Sequence, residues 1–171
     1  MAKNTFLIRA RVNAENGGAF KQNDIDLGSY TNLGSSKPEV LRIHRMHIAV
    51  SDDAGEVPTM TADTCTTLAW QLTTQSQTGL VTPVNDSYVG GGRASVRNPD
   101  SATNPPSQAF EETLLAQDYT DGVLIAVPTL YLGGFAGSDF TEDVYFSLIL
   151  ECSTEAMTKA NAVALAVSQF D

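Results

Sequence analysis

Asp143-Val-Tyr-Phe-Ser-Leu-Ile-Leu-Glu-Cys152 is the stretch that decides the fold class. Val144, Phe146, Leu148, Leu150 and Cys152 fall on one side of an extended chain. Side chains alternate across a strand, so apolarity with a period of two marks a sheet with one face on a core. Residues 65–73 repeat the pattern, with Leu68, Trp70 and Leu72 expected inward and Thr67, Gln71 and Thr73 outward. Two such strands predict a β-sandwich, a scaffold whose product is shape and surface.

Outward from these strands the chain reads as seven or eight strands and a terminal helix. A first strand is expected over residues 5–13, with Phe6, Ile8, Ala10 and Val12 on one face and Arg9 and Arg11 on the other. Asn16-Gly17-Gly18 breaks it. Asp24 to Tyr30 is a candidate second strand. Residues 39–51 form the longest candidate, but their phase slips: Leu41 and Ile43 lie on one face, Met46, Ile48 and Val50 on the other. A β-bulge near His44-Arg45 would restore one buried face. Leu80 to Val84 reads as another strand and 85–109 as a long loop rich in Gly and Pro, which in a compact chain has a job or is mobile. Residues 110–117 fit a helical turn or a strand. Val123 to Leu132 reads as a strand interrupted at Pro128. Ser153 or Thr154 caps a helix over about 154–169, with Ala156, Ala160, Val163 and Val167 on one stripe. That stripe is expected against a sheet or a neighbouring subunit.

Length and composition set the class. At 171 residues with 42% apolar content, the chain is expected to be one domain, 1–171, with a real core. No run of about 18 apolar residues spans a membrane. The start, Met-Ala-Lys-Asn-Thr-Phe, lacks a signal peptide's apolar stretch, so synthesis in the cytoplasm is expected. The net charge of −10 is lopsided: residues 98–171 carry only Lys159 against eleven acids. Such a surface repels phosphate backbones and argues against sequence-independent nucleic-acid binding through that half. The scarcity of Lys suits a salty medium. Cys65 and Cys152 are expected as free thiols.

The chemistry-bearing residues do not converge in sequence. His44 and His47, three apart on a strand, are expected on opposite faces, which is wrong for zinc. Asp52-Asp53-Ala-Gly55-Glu56 gathers three carboxylates without the ligand spacing of a calcium loop. Gly90-Gly91-Gly92-Arg93 and Gly133-Gly134 lack the Lys-Ser/Thr of a phosphate loop and read as turn glycines. No Gly-x-Ser-x-Gly elbow occurs. Adjacent carboxylates, Glu111-Glu112 and Glu142-Asp143, point to opposite faces of a strand and cannot flank one glycosidic bond. Trp70 reads as core, and Tyr88 and Tyr119 as the better contact residues. The expectation is therefore no enzyme, with no catalytic, cofactor-binding or metal residue to nominate.

Three phrases carry a family resemblance: Ile25-Asp-Leu-Gly-Ser-Tyr30, Val40-Leu-Arg-Ile-His44, and Ala69-Trp-Gln-Leu-Thr-Thr-Gln-Ser-Gln-Thr-Gly-Leu-Val81. Over the first half of the chain, they resemble small coat proteins of tailless viruses, in particular single jelly-roll capsid proteins of marine or halophilic prokaryotic viruses. The resemblance implies an all-β jelly-roll sandwich with a C-terminal helix, residing in the virion and assembling with copies of itself into an icosahedral shell. The 31–38 and 85–109 loops would then make inter-subunit contacts or a surface tower. A second coat or spike protein and an internal membrane are further partners the resemblance allows. The chain departs from genome-binding coats in lacking an Arg/Lys-rich arm, so no direct nucleic-acid binding is expected. The alternative on the same fold is a carbohydrate-binding or adhesion module.

Overall fold

The computed structural model describes residues 4–170. Nine strands lie among them: β1 (Phe6–Glu15), β2 (Lys21–Asp26), β3 (Glu39–Ser51), β4 (Thr64–Thr73), β5 (Tyr88–Asn98), β6 (Ser107–Leu114), β7 (Val123–Ile125), β8 (Thr129–Ala136) and β9 (Val144–Ala156). A helix, α1 (Lys159–Ser168), follows. The strands form two antiparallel sheets, in the orders β1-β9-β3-β7 and β2-β8-β4-β5-β6. With β6 set aside as a hairpin extension of β5, the remaining pairs nest: β4 with β5, β3 with β7, β2 with β8 and β1 with β9. The chain is thus one long ribbon folded back on itself and wound so that alternate pairs fall in opposite sheets.

The deciding stretch lies at the centre of this arrangement. Phe146 is paired with Val12 on one side and Val50 on the other, Leu148 with Ala10 and Ile48, and Leu150 with Ile8 and Met46. Phe146, Leu148 and Leu150 are almost fully buried, facing Trp70, Leu72, Leu130 and Leu132 of the second sheet across one core. Each such side chain contributes about 1.5–3 kcal/mol by leaving water. The bulge in β3 lies where the sequence phase slips: Ile43 pairs with Cys152 and Arg45 with Glu151, leaving His44 as the extra residue. Gly122 lets the turn before β7 pass close to that bulge. It holds φ +69°, and a Cβ there would strike the Ile43 carbonyl.

Several expectations need correction. β2 lies earlier than Asp24–Tyr30, at Lys21–Asp26. Leu80–Val84 is not a strand but a loop on the second sheet, held by two bonds from Gln71: its amide donates to the Gly79 carbonyl, and its carbonyl accepts from Val81 N–H. Gln71 and Thr73, expected outward and wet, are therefore buried. Most of the supposed 85–109 loop is strand, β5 and the start of β6. Gly90, Gly91 and Gly92 are strand residues because neighbours fill the space of their side chains: a Cβ on Gly92 would lie 2.6 Å from Trp70 Nε1. Residues 110–117 split into the end of β6 and a 3₁₀ turn at Ala116–Asp118. The Pro128 interruption is real, and it marks where the chain leaves one sheet for the other.

The helix differs most from its expected bounds. β9 runs on to Ala156, so the cap is Thr158 rather than Ser153 or Thr154, accepting from Asn161 N–H. Ala162 and Ala166 face Val40 and Ala126 on the body. Val163 and Val167, on the stripe expected against a sheet or a neighbouring subunit, point to solvent and not to the sheet, as does Phe170. Gln169 ends the helix by acting as a short stand-in for a strand beside β7. Its Oε1 accepts from Ala126 N–H at 2.8 Å and its Nε2 donates to the Leu124 carbonyl at 2.7 Å. Gln117 does the same for β3, bonding both the N–H and the carbonyl of Met46.

Candidate assembly surfaces

The sequence nominated Tyr88 and Tyr119 separately, and the fold brings them to one shallow groove beside α1, with Arg42, Leu124, Leu165 and Gln169. Tyr88 stands on β5 rather than on a loop, and burial pushes its hydroxyl above the ordinary tyrosine range against the pull of Arg93. Tyr119 is exposed. The 31–38 segment is a tight connection closed by the Asn32–Glu39 bridge, and its Leu33 packs toward α1.

A second surface is the open flank between the sheets. β7 covers β3 only over Leu41–Ile43. Past Met46, no strand lies beside the outer edge of β3 among the described residues, while β9 pairs with its other edge to Ser51. Between that edge and β5–β6 opens an apolar cavity of about 220 Å³, lined among others by Ile48, Val50, Val57, Leu68 and Trp70. Glu111 stands in its lining, and Val57 is 62% exposed. An unpaired edge beside exposed apolar side chains is a surface that natural proteins cover.

The third surface is the outer face of the β1-β9-β3-β7 sheet. Register places Arg9 and Arg11 of β1, and Arg42, Arg45 and His47 of β3, on the side opposite the core. The bulge turns His44 to the same side, where its Nε2 meets Ser153 Oγ at 2.8 Å. The expectation of opposite faces for His44 and His47 fails because the extra residue shifts the alternation. Arg42 pairs with Glu155 at 2.7 Å, Arg45 approaches Glu151 at 3.8 Å, and Arg11 stacks over Tyr145. In a chain of net charge −10, this one face holds four of the ten Lys and Arg residues and both histidines.

The carboxylates tie loops together. Glu142 accepts from Thr59 N–H and Asp143 accepts from the Asn13 amide. Asp52 closes its own turn by accepting from Glu56 N–H. Among the described residues, no three His, Cys, Asp or Glu gather as metal ligands would. Cys65 and Cys152 are both free, Cys65 exposed on β4 and Cys152 buried on β9 in the other sheet. Burial pushes the Cys152 thiol up to about 12, with the Glu151 charge adding to it. Native protein is therefore expected to react with a thiol reagent at one cysteine per chain, the second reacting only after denaturation; equal rates for both would contradict the burial.

No family model matches the chain, and no curated protein does. Solved structures do. VP1 of Trichodysplasia spinulosa-associated polyomavirus, in complex with GM1 oligosaccharide, is similar over 88% of this chain and 94% of that one, with a TM-score of 0.51 and 10% identity. This chain carries the jelly-roll fold. Merkel cell polyomavirus VP1 is similar with a TM-score of 0.40 and 11% identity, over 88% of this chain and 96% of that one. Desmodium yellow mottle tymovirus gives 0.36 and 12%, over 92% and 90%. At these identities the likeness is one of fold. The jelly roll here has its eight nested strands and one addition, β6, which widens the second sheet on the open flank.

Proposed function

We propose that this jelly roll is a structural subunit of a viral capsid, packing with copies of itself into an icosahedral shell in the virion. The observation that supports the reading is coverage: the fold shared with VP1 takes in 88% of this chain and 94% of that one, so the likeness is to the whole coat domain and not to a fragment of it. Uncovered apolar surface on the open flank and along α1 supports it, because a lone subunit gains nothing by exposing Val57, Val163, Val167 and Phe170. Within this reading, the acidic, Lys-poor composition favours a tailless virus of a marine or halophilic prokaryote. The same composition favours a shell that encloses a membrane or a separate core rather than bare genome. A second coat or spike protein would complete such a shell.

Particle mass by light scattering, with negative-stain microscopy, tests this from low to molar salt. Regular shells, sheets or rings are expected. A monomer under every condition would overturn self-assembly. One observation favours a second reading, a carbohydrate-binding module: exposed Tyr119 shares a groove with Tyr88 and Arg42, an aromatic and cationic setting that suits sugars. That reading expects saturable glycan binding abolished by Tyr119→Ala, and no binding across a glycan array would discard it.

A further inference from the structure

We propose that the gap at the outer edge of β3 is a slot for a short extended segment of another polypeptide. Backbone hydrogen bonds and apolar side chains entering the flank cavity would hold it. The inference goes beyond the capsid reading and rests on the fold alone. In an antiparallel ladder, successive residues turn their N–H and carbonyl to alternate sides. Gln117 bonds both backbone groups of Met46 from the outer side, so Ile48, Val50 and Asp52 point the same way. Asp52 N–H is taken by the Glu56 carbonyl. Between these two plugs, the N–H and carbonyl groups of Ile48 and Val50 have no partner among the described residues. At about 3.3 Å per residue, the stretch between the plugs takes about four or five residues of extended chain.

This edge is bare of the devices that protect such edges. Ile48, Ala49 and Val50 bring no charge and no proline, whereas β6, outermost in the other sheet, carries Glu111 and Glu112 behind Pro105-Pro106. A whole second sandwich does not fit edge to edge. The second sheet is one strand wider than the first, and β5 and β6 form the far wall of the cavity that Ile48 and Val50 line. A neighbouring sandwich paired to β3 would drive its own second sheet into the place β6 holds, so the vacancy admits one strand. Side chains of an added strand alternate, so every second one would point into the cavity beside Ile48 and Val50. The walls there include Leu68, Trp70, Ala94 and Phe146, and the volume of about 220 Å³ exceeds the roughly 150 Å³ that holds a benzene ring. Arg93 and Glu111 both stand in the lining, so the slot asks for no net charge. The occupant's chemistry is valine, isoleucine or leucine at alternate positions, with uncharged residues between.

A synthetic peptide alternating valine and threonine, with blocked ends, tests the slot on the whole chain by titration calorimetry and amide hydrogen exchange. It should bind, and exchange at Ile48 and Val50 should slow. The same peptide methylated on its backbone nitrogens donates no hydrogen and should bind at least about tenfold more weakly. Val50→Pro removes an N–H of the edge and leaves the ladder to β9 intact. With the fold unchanged by circular dichroism, it should also weaken binding about tenfold. The comparison of the two peptides on native protein stands whether or not that variant folds. No binding at millimolar peptide overturns the slot. Equal binding of the methylated peptide also overturns it and makes the cavity a site for small apolar molecules. Exchange at Ile48 and Val50 that slows with protein concentration alone would overturn it too, making the edge a contact between folded copies. Shells without peptide binding would sink the slot and leave the capsid reading standing. Peptide binding without shells would do the reverse.

Discussion

Phe146→Ala is expected to lower stability by about 3–5 kcal/mol, a large part of the 5–15 kcal/mol a domain has. The ring lies 1% exposed on the central strand, between Val12 and Val50. It reaches across to the opposite sheet, where it leaves so little room that a Cβ on Gly134 would come within 2.9 Å of it. Truncation removes the transfer free energy and leaves a void. That void would join the cavity on the open flank, which Phe146 already lines, so water gains a path into the core rather than the walls closing in. Urea unfolding should show a lower midpoint, and a cost under about 1 kcal/mol would mean the sheets can close on the gap.

The second large effect is expected from Gln169→Glu. The amide of Gln169 gives a hydrogen to the Leu124 carbonyl and takes one from Ala126 N–H, at a site 8% exposed. A carboxylate keeps the second bond and sets an anion against the carbonyl in place of the first. Breaking a buried polar pair in this way costs about 3–5 kcal/mol. Burial and the lost donor raise the folded-state pKa above its unfolded value of about 4.3. The sign follows: the protonated acid can donate to Leu124, so stability is retained below the unfolded pKa and lost as pH rises through the raised folded one. Melting curves of the variant should approach wild type near pH 4 and fall behind toward pH 7. A deficit constant across that range would show that shape, not the donor, matters at this position.

Much of the fold was legible because strand alternation is a local signal. The β9 stretch, the β1 faces and the β3 bulge all follow from counting apolar residues at period two. Gly90–Gly92 hid a strand because glycine carries no side chain to alternate. Their reason lies in neighbours that occupy the space instead: Trp70 across the ladder, Tyr88 on the same strand, and Met46 from the opposite sheet. Gln71 and Thr73 read as wet because polarity reports a residue's own chemistry and not what will lie on it. The α1 stripe of Ala156, Ala160, Val163 and Val167 was expected against a sheet or a neighbouring subunit; the face that meets the body is the one of small residues, Ala162 and Ala166, which leaves Val163 and Val167 exposed. Of the surfaces, Tyr88 and Tyr119 were visible in sequence. The basic face was not: its arginines come from two strands, β1 and β3, and only their common pairing with β9 sets them on one face.

The glutamine clasps have a consequence for how the subunit meets its medium. Gln71, Gln117 and Gln169 each complete the backbone bonding of a loop or strand edge with an uncharged group. Neutral amides neither titrate near physiological pH nor weaken as ions screen charge. Contacts between copies that rest on charged side chains weaken as salt rises. Brine strong enough to part the copies should therefore leave each one folded, so that taking the shell apart and denaturing its parts are separate events, and the parts remain fit to be used again.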